Sequence, residues 1–403
     1  MTESLSTTVE SVQREDPFEE RHKPVSQTKL IWRRFLRHKL GVIGGVIVVL
    51  LLFAFLFADF FSPYGYLSQH HDVPYAPPMI NRIHFDGVKV FVFGLVQNQI
   101  FIKLGSQLIR APGAYDYTED VSHKYYLKLF APGDEYKFLG LFSTNIHILG
   151  TGEPPDSMGQ FFVLGSDELG QDILSRMLFG GRITLAIAPM VILISFLFGS
   201  LLGGLSGYLG GATDTLIQRI VEIFMSLPRL ALLLAMSGIL TYAGYIPPMT
   251  RFWSIVGLLS LISWAPLARV IRGQFLSLRE HEFTQAAKAL GATNTRIIFR
   301  HILPNIMSYL VVAATLAVPD LIILESVLSF LGFGIQHPLV SWGMMLFSLQ
   351  GTGFDLHATY HAWLFLPAIF IVLSVLSFNF LGDALRDALD PFAVHGVKED
   401  MKK

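Results

Sequence analysis

No cysteine occurs in the 403-residue chain. Disulfides, thiolate nucleophiles, thiolate metal sites and a lipidated cysteine are therefore excluded. Charge is scarce as well: Asp, Glu, Lys and Arg make up 15% of the residues, where a soluble domain carries about a quarter. The two signs nearly cancel to a net charge of −1, so bulk electrostatics offers nothing to a nucleic acid. A Gly-x-x-x-x-Gly-Lys-Ser/Thr phosphate loop is missing, which excludes ATP binding by this chain in that way. His281, His301, His337, His357 and His361 are scattered, and only the last two are four apart, with no helix assured there; a metal site is not expected. No nucleophile–base set stands out, so the chain reads as non-catalytic and free of its own cofactor.

What is present in abundance is apolar sequence. Hydrophobic residues make up 52% of the chain and the mean hydropathy is +0.50. Runs over about 40–61, 183–206, 216–242, 254–275, 305–330 and 362–382 each reach the roughly 20 residues that span a bilayer as helix. A polytopic, all-α membrane protein with six spans is expected. The first run is too long for a signal-peptide core of about 7–15 residues and reads as a retained anchor. Gly199, Gly203, Gly204 and Gly207 crowd the end of the second run, where small residues permit close helix packing.

The remaining segments have distinct characters. Residues 1–25 are polar and read as disordered. Over 30–39, Leu30, Ile31, Trp32, Phe35 and Leu36 alternate with Arg33, Arg34, Arg37 and Lys39; an interfacial helix on an anionic leaflet and a plain basic flank of the first span both fit. Between the first two runs lies a polar insert, 62–164. Alternation in Val88–Phe93 and Tyr125–Phe130 predicts strands, and so long a connection predicts a small β-rich domain. Basic residues fall on one set of short loops: Arg33, Arg34, Arg37 and Lys39, then Arg219, Arg269, Arg272, Arg279, Lys288, Arg296, Arg300 and Arg386. The opposite short loops hold only Arg251. The positive-inside rule therefore puts both termini, the tail 393–403 and the loop 276–304 in the cytoplasm, and the insert outside.

That loop is the most informative stretch. Glu280 to Leu290 predicts a helix from its alanines and Leu290, and Gly291 supplies the left-handed residue that ends it. Thr293 is placed to cap a second helix, about Asn294 to Leu303, with Pro304 marking the step into the next span. On physics alone, a docking hairpin and an amphipathic loop lying on the membrane both remain. Elsewhere, Arg219 and Glu222 are spaced for an i,i+3 pair. Asp320, beside Pro319, and Glu325 lie within the fifth run. Ionisable residues there either line a path or gate, or form an interhelical pair at a subunit contact.

The hairpin resembles the cytoplasmic loop of ATP-binding-cassette importer permeases, whose pattern is Glu-Ala-Ala, three residues, Gly, nine residues, Ile-x-Leu-Pro. Here Gln285 stands for the Glu, Ala286, Ala287 and Gly291 keep their places, and Ile302 precedes Leu303-Pro304. The segments Gly165–Arg176, Ser326–Gly334 with Trp342-Gly343, and Asn379–Pro391 are similar to C-type permease subunits of oligopeptide and dipeptide importers. Those relatives usually have Thr and Arg where this chain has Ser166 and Gln171. The resemblance covers the first span and nearly all of 165–392, and the long insert departs from it.

It implies a type I importer permease bundle in the cell membrane, with a second related permease as partner in a heterodimeric pore. It also implies two ATPase subunits that bind the ATP and a solute-binding protein that delivers peptide. Glu282, Phe283, Gln285, Ala286, Ala287, Lys288, Leu290 and Gly291 would form the ATPase-docking surface. The insert would touch the binding protein or cap the pore. Ser166 and Asp167 read as caps of an external helix or as binding-protein contacts. The alternative, an ion-gradient-driven secondary transporter or channel, needs midplane carboxylates, and only Asp320 and Glu325 qualify.

Overall fold

The computed structural model describes residues 27–104, 107–154, 157–242, 244–350 and 359–389; the polar segment 1–25, the tail 393–403 and His357 lie outside the described residues. The chain opens on α1 (Gln27–Arg37), with Leu30, Trp32 and Leu36 exposed. His38 then caps α2 (Lys39–Leu56): its Nδ1 accepts from the Gly41 amide at 3.0 Å. The first apolar run breaks at Phe57, and the short α3 (Ala58–Phe61) completes it. Arg182, from α4 (Ile173–Leu209), satisfies the carbonyls beside the break. It donates to the carbonyls of Phe55 at 2.9 Å and Leu56 at 3.1 Å, and to Asp59 at 2.8 Å. Asp59, at the end of the first apolar run, is therefore paired.

Between α3 and α4 the insert folds on its own core of Val73, Met79, Val92, Phe161 and Phe162. β1 (His84–Asp86), β2 (Lys89–Leu104) and β3 (Gln107–Tyr126) form an antiparallel sheet in that order, and β4 (Lys128–Phe138) pairs with β5 (Phe142–Gly150) in a separate hairpin. The alternation over 125–130 crosses a change of partner. Tyr126 ends β3 opposite Phe91, while Lys128 starts β4 opposite Gly150. Period-two alternation reports which way side chains face and is blind to which strand lies alongside.

Among the described residues, five helices are long and apolar enough to cross a membrane: α2, α4, α7 (Pro248–Arg279), a rod over Asn294–Phe330 and the helix Ala362–Leu389. The third apolar run is not the single helix expected over 216–242. It is a pair, α5 (Gly211–Ser226) and α6 (Arg229–Tyr242), bent by 85°. Pro228 is the cause: its ring disfavours helical backbone at the residue before it, and Leu227 is extended at φ −86° and ψ 138°. Counting the bent pair as one span gives six.

The fifth run corrects a second expectation. After α8 (Glu282–Ala289), the helix from Asn294 does not stop at Leu303. α9 (Asn294–Arg296), a π-helical stretch over Ile297–Ile302 and α10 (Leu303–Phe330) run on as one rod. A proline inside a helix removes one hydrogen bond and collides with the carbonyl four residues back. The wider π turn just upstream accommodates Pro304 without a break.

The closest packing is α4 on α7. A methyl group built at Gly207 would lie 2.6 Å from the Arg272 carbonyl oxygen and 2.7 Å from Phe275 Cβ; one at Gly199 would lie 3.1 Å from the Trp264 carbonyl oxygen. The glycine stripe thus brings the two backbones together. α11 (Trp342–Phe347) tucks in beside α4, with Trp342 fully buried and its indole N–H donating to the Met177 carbonyl at 2.9 Å. α12 (Leu366–Leu389) packs on α2 and α10; Gly382 sits against Leu316. Overpacking of this kind costs about 1–3 kcal/mol, so Gly207→Val is expected to lower the unfolding temperature of the detergent-solubilised protein by several degrees. Gly257→Ala, at a site with no neighbour within 4 Å of the added carbon, should leave it unchanged.

Candidate functional site

The loop after α7 closes as a helix-turn-helix. α8 starts after His281 and ends in a Schellman arrangement. The Gly291 amide donates to the Lys288 carbonyl at 3.0 Å and the Ala292 amide to the Ala287 carbonyl at 3.0 Å. Gly291 has φ +81° and no neighbour within 4 Å of an added Cβ. Thr293 caps the second helix, accepting from the Arg296 amide at 3.4 Å. The helix expected from Glu280 to Leu290 is thus shorter by two residues at its start, and Leu290 is its C-cap.

The hairpin is seated on the bundle by its inner face. Thr284 and Ala287 are buried, and Ala287 joins a core with Ile271, Phe275, Ile297, Ile302 and Ile306. Thr284 Oγ1 donates to the Leu278 carbonyl at 2.8 Å, and Gln285 Nε2 to that of Arg279 at 3.0 Å. Of the expected docking residues, Glu282, Phe283, Gln285, Ala286, Lys288, Leu290 and Gly291 are exposed, and Ala287 points inward. Leu290 is 90% exposed. A shallow concavity of about 620 Å³ opens beside Ser277, Glu280, His281, Glu282 and Phe283.

A polar network that sequence reading missed ties this end together. Arg272 of α7 makes a two-pronged ion pair with Asp214 of α5, at 2.5 and 2.6 Å. Asp214 also accepts from Ser206 of α4, to which Gln218 donates at 3.0 Å. Arg279 reaches the Gly207 carbonyl at 3.3 Å, and Tyr208 donates to Asn294 at 2.9 Å. Neither spacing nor hydropathy flags an Asp and an Arg 58 residues apart. By contrast, Arg219 and Glu222 meet at 2.9 Å as their i,i+3 spacing suggests, and both are exposed.

At the sheet-bearing end, the segment Gly165–Arg176 is a buried junction. Ser166 Oγ donates to the Val73 carbonyl at 2.7 Å and accepts from the Ala76 amide at 2.8 Å. Asp167 accepts the Leu169 and Gln171 amides, each at 2.9 Å, and pairs with Arg176. The cap of α4 is Asp172, not Ser166 or Asp167: it accepts from the Ser175 amide at 2.8 Å. The cap expected five or six residues earlier is displaced because the intervening residues form a tight turn around the Asp167 carboxylate.

The two acidic residues of the fifth run part company. Asp320 is exposed on a groove between α4, α7 and α10, which Arg229 also lines. Glu325 is fully buried, accepts from Ser329 Oγ at 2.7 Å, and stands where α10 meets α11. Five residues on a helix amount to about 140° of rotation, which takes the two to different faces.

Comparison with known proteins settles the family. Residues 195–394 match the family described as "Binding-protein-dependent transport system inner membrane component", and residues 26–78 match "N-terminal TM domain of oligopeptide transport permease C". The dipeptide transport system permease protein DppC of Bacillus subtilis is 41% identical over 238 residues, 59% of this chain and 70% of that protein. The chain belongs to this permease family. The permease is also similar to the oligopeptide transport system permease protein OppC of Escherichia coli, 40% identical over 239 residues, 59% of this chain and 74% of that one. Among solved structures, an inward-facing form of the MetNI methionine ABC transporter gives a TM-score of 0.42 at 21% identity, over 53% of this chain and 96% of that one. The permease is a multi-pass membrane transport component, and its helical bundle with a sheet insert is the architecture expected from the sequence.

Two predictions follow from these geometries. Left-handed backbone strains a β-branched residue by about 1–3 kcal/mol, so Gly291→Val should speed amide exchange at residues 291 and 292, read by mass spectrometry, while Gly291→Asn should do so less. Burial, with Oδ1 unpartnered, pushes the Asp172 carboxyl from 3.8 up to about 6. The folded chain then binds this proton more tightly than the unfolded chain. Its contribution to stability is fully present below about pH 4 and is lost as pH rises through 6. Asp172→Asn should flatten the dependence of unfolding temperature on pH between 4 and 7, measured in detergent.

Proposed function

We propose that the permease forms half of the translocation pore of an ATP-driven importer of di- or oligopeptides. The observation that carries this reading is the exposed face of the 282–291 hairpin, combined with the rigid seating of its other face. Leu290 and Phe283 offer apolar contacts to a partner, and Glu282 and Lys288 offer charge. The positive-inside rule sets this end in the cytoplasm, where two ATPase subunits would grip it. A second, related permease completes the pore as a heterodimer, and a solute-binding protein delivers cargo to the opposite, sheet-bearing end. Peptide cargo is what the printed names of the relatives suggest.

Mechanistically, closure of the ATPase pair on ATP moves the hairpin. Thr284 and Gln285 tie the hairpin to the end of α7, and Asn294, where the second helix starts, meets Tyr208 of α4. A push therefore travels as rigid-body motion along α7 and the 294–330 rod, rather than dissipating in a loose loop. ATP is held by the partner subunits and the chain supplies no catalytic group. An ion-gradient mechanism finds no support in the comparisons, and buried Glu325 is spent on Ser329.

Purification of the permease in mild detergent tests the reading. The wild type is expected to bring down an ATPase subunit, and Phe283→Ala with Leu290→Glu is expected to lose it by tenfold or more. Uptake of a labelled tripeptide should cease without ATP. Uptake that survives ATP depletion but collapses with the proton or sodium gradient would overturn the proposal.

A further inference from the structure

The groove that holds Asp320 has an unusual electrostatic composition for its depth. It measures about 230 Å³ and lies among α4, α7 and α10, and Arg229, just after the bend between α5 and α6, also lines it. Tyr309, Ala313, Ala317 and Asp320 form one stripe of α10 along it. Arg229 and Asp320 are both exposed to it, and neither meets a hydrogen-bonding or ionic partner among the described residues. Across the groove, Ser263 Oγ is buried without a partner, whereas Ser195 Oγ is already committed to the Val191 carbonyl at 2.6 Å. Pro266 of α7 lines the same space.

A structural ion pair would have closed. Charged side chains among spanning helices are costly and face water-filled paths, and these two stand open with opposite signs on one groove, from two different helices. Arg229 begins α6, so the amides of that first turn add positive potential beside its guanidinium. A guanidinium matches a carboxylate with two parallel hydrogen bonds, and a carboxylate accepts from an ammonium.

Peptides of any side-chain sequence share one carboxylate and one ammonium. We infer that Arg229 and Asp320 are subsites for the two termini of a peptide in transit, Arg229 for the carboxylate and Asp320 for the ammonium. This rests on the peptide-import reading above and adds to it the chemistry that the bundle itself reads. Such a wall lets the path ignore side chains while rejecting solutes that lack ionic ends. The volume falls below the range of about 300–1,000 Å³ of complete small-molecule sites, as suits one wall of a space that a second permease encloses.

The test uses the whole importer, with its binding protein, reconstituted in liposomes, and labelled trialanine. Arg229→Gln and Asp320→Asn are each expected to lower initial uptake about tenfold, and Arg229→Lys and Asp320→Glu to restore most of it, with co-purification of the partner subunits unchanged. The two neutral variants are then compared on trialanine, N-acetyltrialanine and trialaninamide, each relative to wild type. Asp320→Asn should penalise trialanine and trialaninamide but spare N-acetyltrialanine; Arg229→Gln should penalise trialanine and N-acetyltrialanine but spare the amide. Because the binding protein is common to every arm, its own preference cancels in these ratios. No loss in either neutral variant, or equal losses for all three peptides, overturns the inference while leaving peptide import intact. Failure of the wild type to take up any of the three overturns the import reading itself.

Discussion

The approach of α4 to α7 along the glycine stripe governs the placement of nearly everything else. With no side chain at Gly199, Gly203 and Gly207, the backbones touch, and the end of α7 comes to rest on the end of α4. Arg279 can then reach the Gly207 carbonyl, and Tyr208 can reach Asn294 across the hairpin. Without that closeness, Thr284 and Ala287 would still face inward, but onto a gap. In lipid, apolar side chains gain little by meeting one another, so such contacts depend on fit and on hydrogen bonds. The exposed face of α8 is defined only because the other face is held.

Sequence reading reached the class, the apolar runs, the insert and the hairpin, because each rests on a local signal. Leu, Ile and Phe over 20 residues report a span wherever it sits, and Gly291 reports a left-handed turn by itself. The errors share a cause too. Leu227-Pro228 lies inside a run that is apolar enough as a whole to pass for one span, so a composition window passes over the 85° bend. Pro304 reads as a boundary in the sequence because the neighbouring π turn, which makes it harmless, has no composition of its own. Ser166 and Asp167 stand before Asp172 and are equally good capping types, so the sequence does not single Asp172 out.

Long-range pairs were the least legible. Asp214 with Arg272 and Asp59 with Arg182 make two different joints of the bundle, yet in sequence each is a lone charge near an apolar run. The same holds for Asp320 and Arg229, separated by 91 positions on the chain but on one groove in the fold. Glu325 shows the converse: equivalent to Asp320 in the sequence, it is buried in the fold against Ser329 of its own helix. Which role a carboxylate takes is decided by the helix face it falls on, and that depends on every residue between it and the nearest fixed point.

That dependence gives the π-helical stretch over Ile297–Ile302 a meaning beyond accommodating Pro304. A helix advances by about 100° per residue, so one residue more or fewer in this stretch would turn all of α10 about its axis while the knuckle stayed seated on Ile271 and Phe275. The stretch sets the angle between the seated hairpin and α10. Single-residue insertion or deletion here would dial a different stripe of α10 into the groove that Asp320 lines, with the seating of the hairpin unchanged.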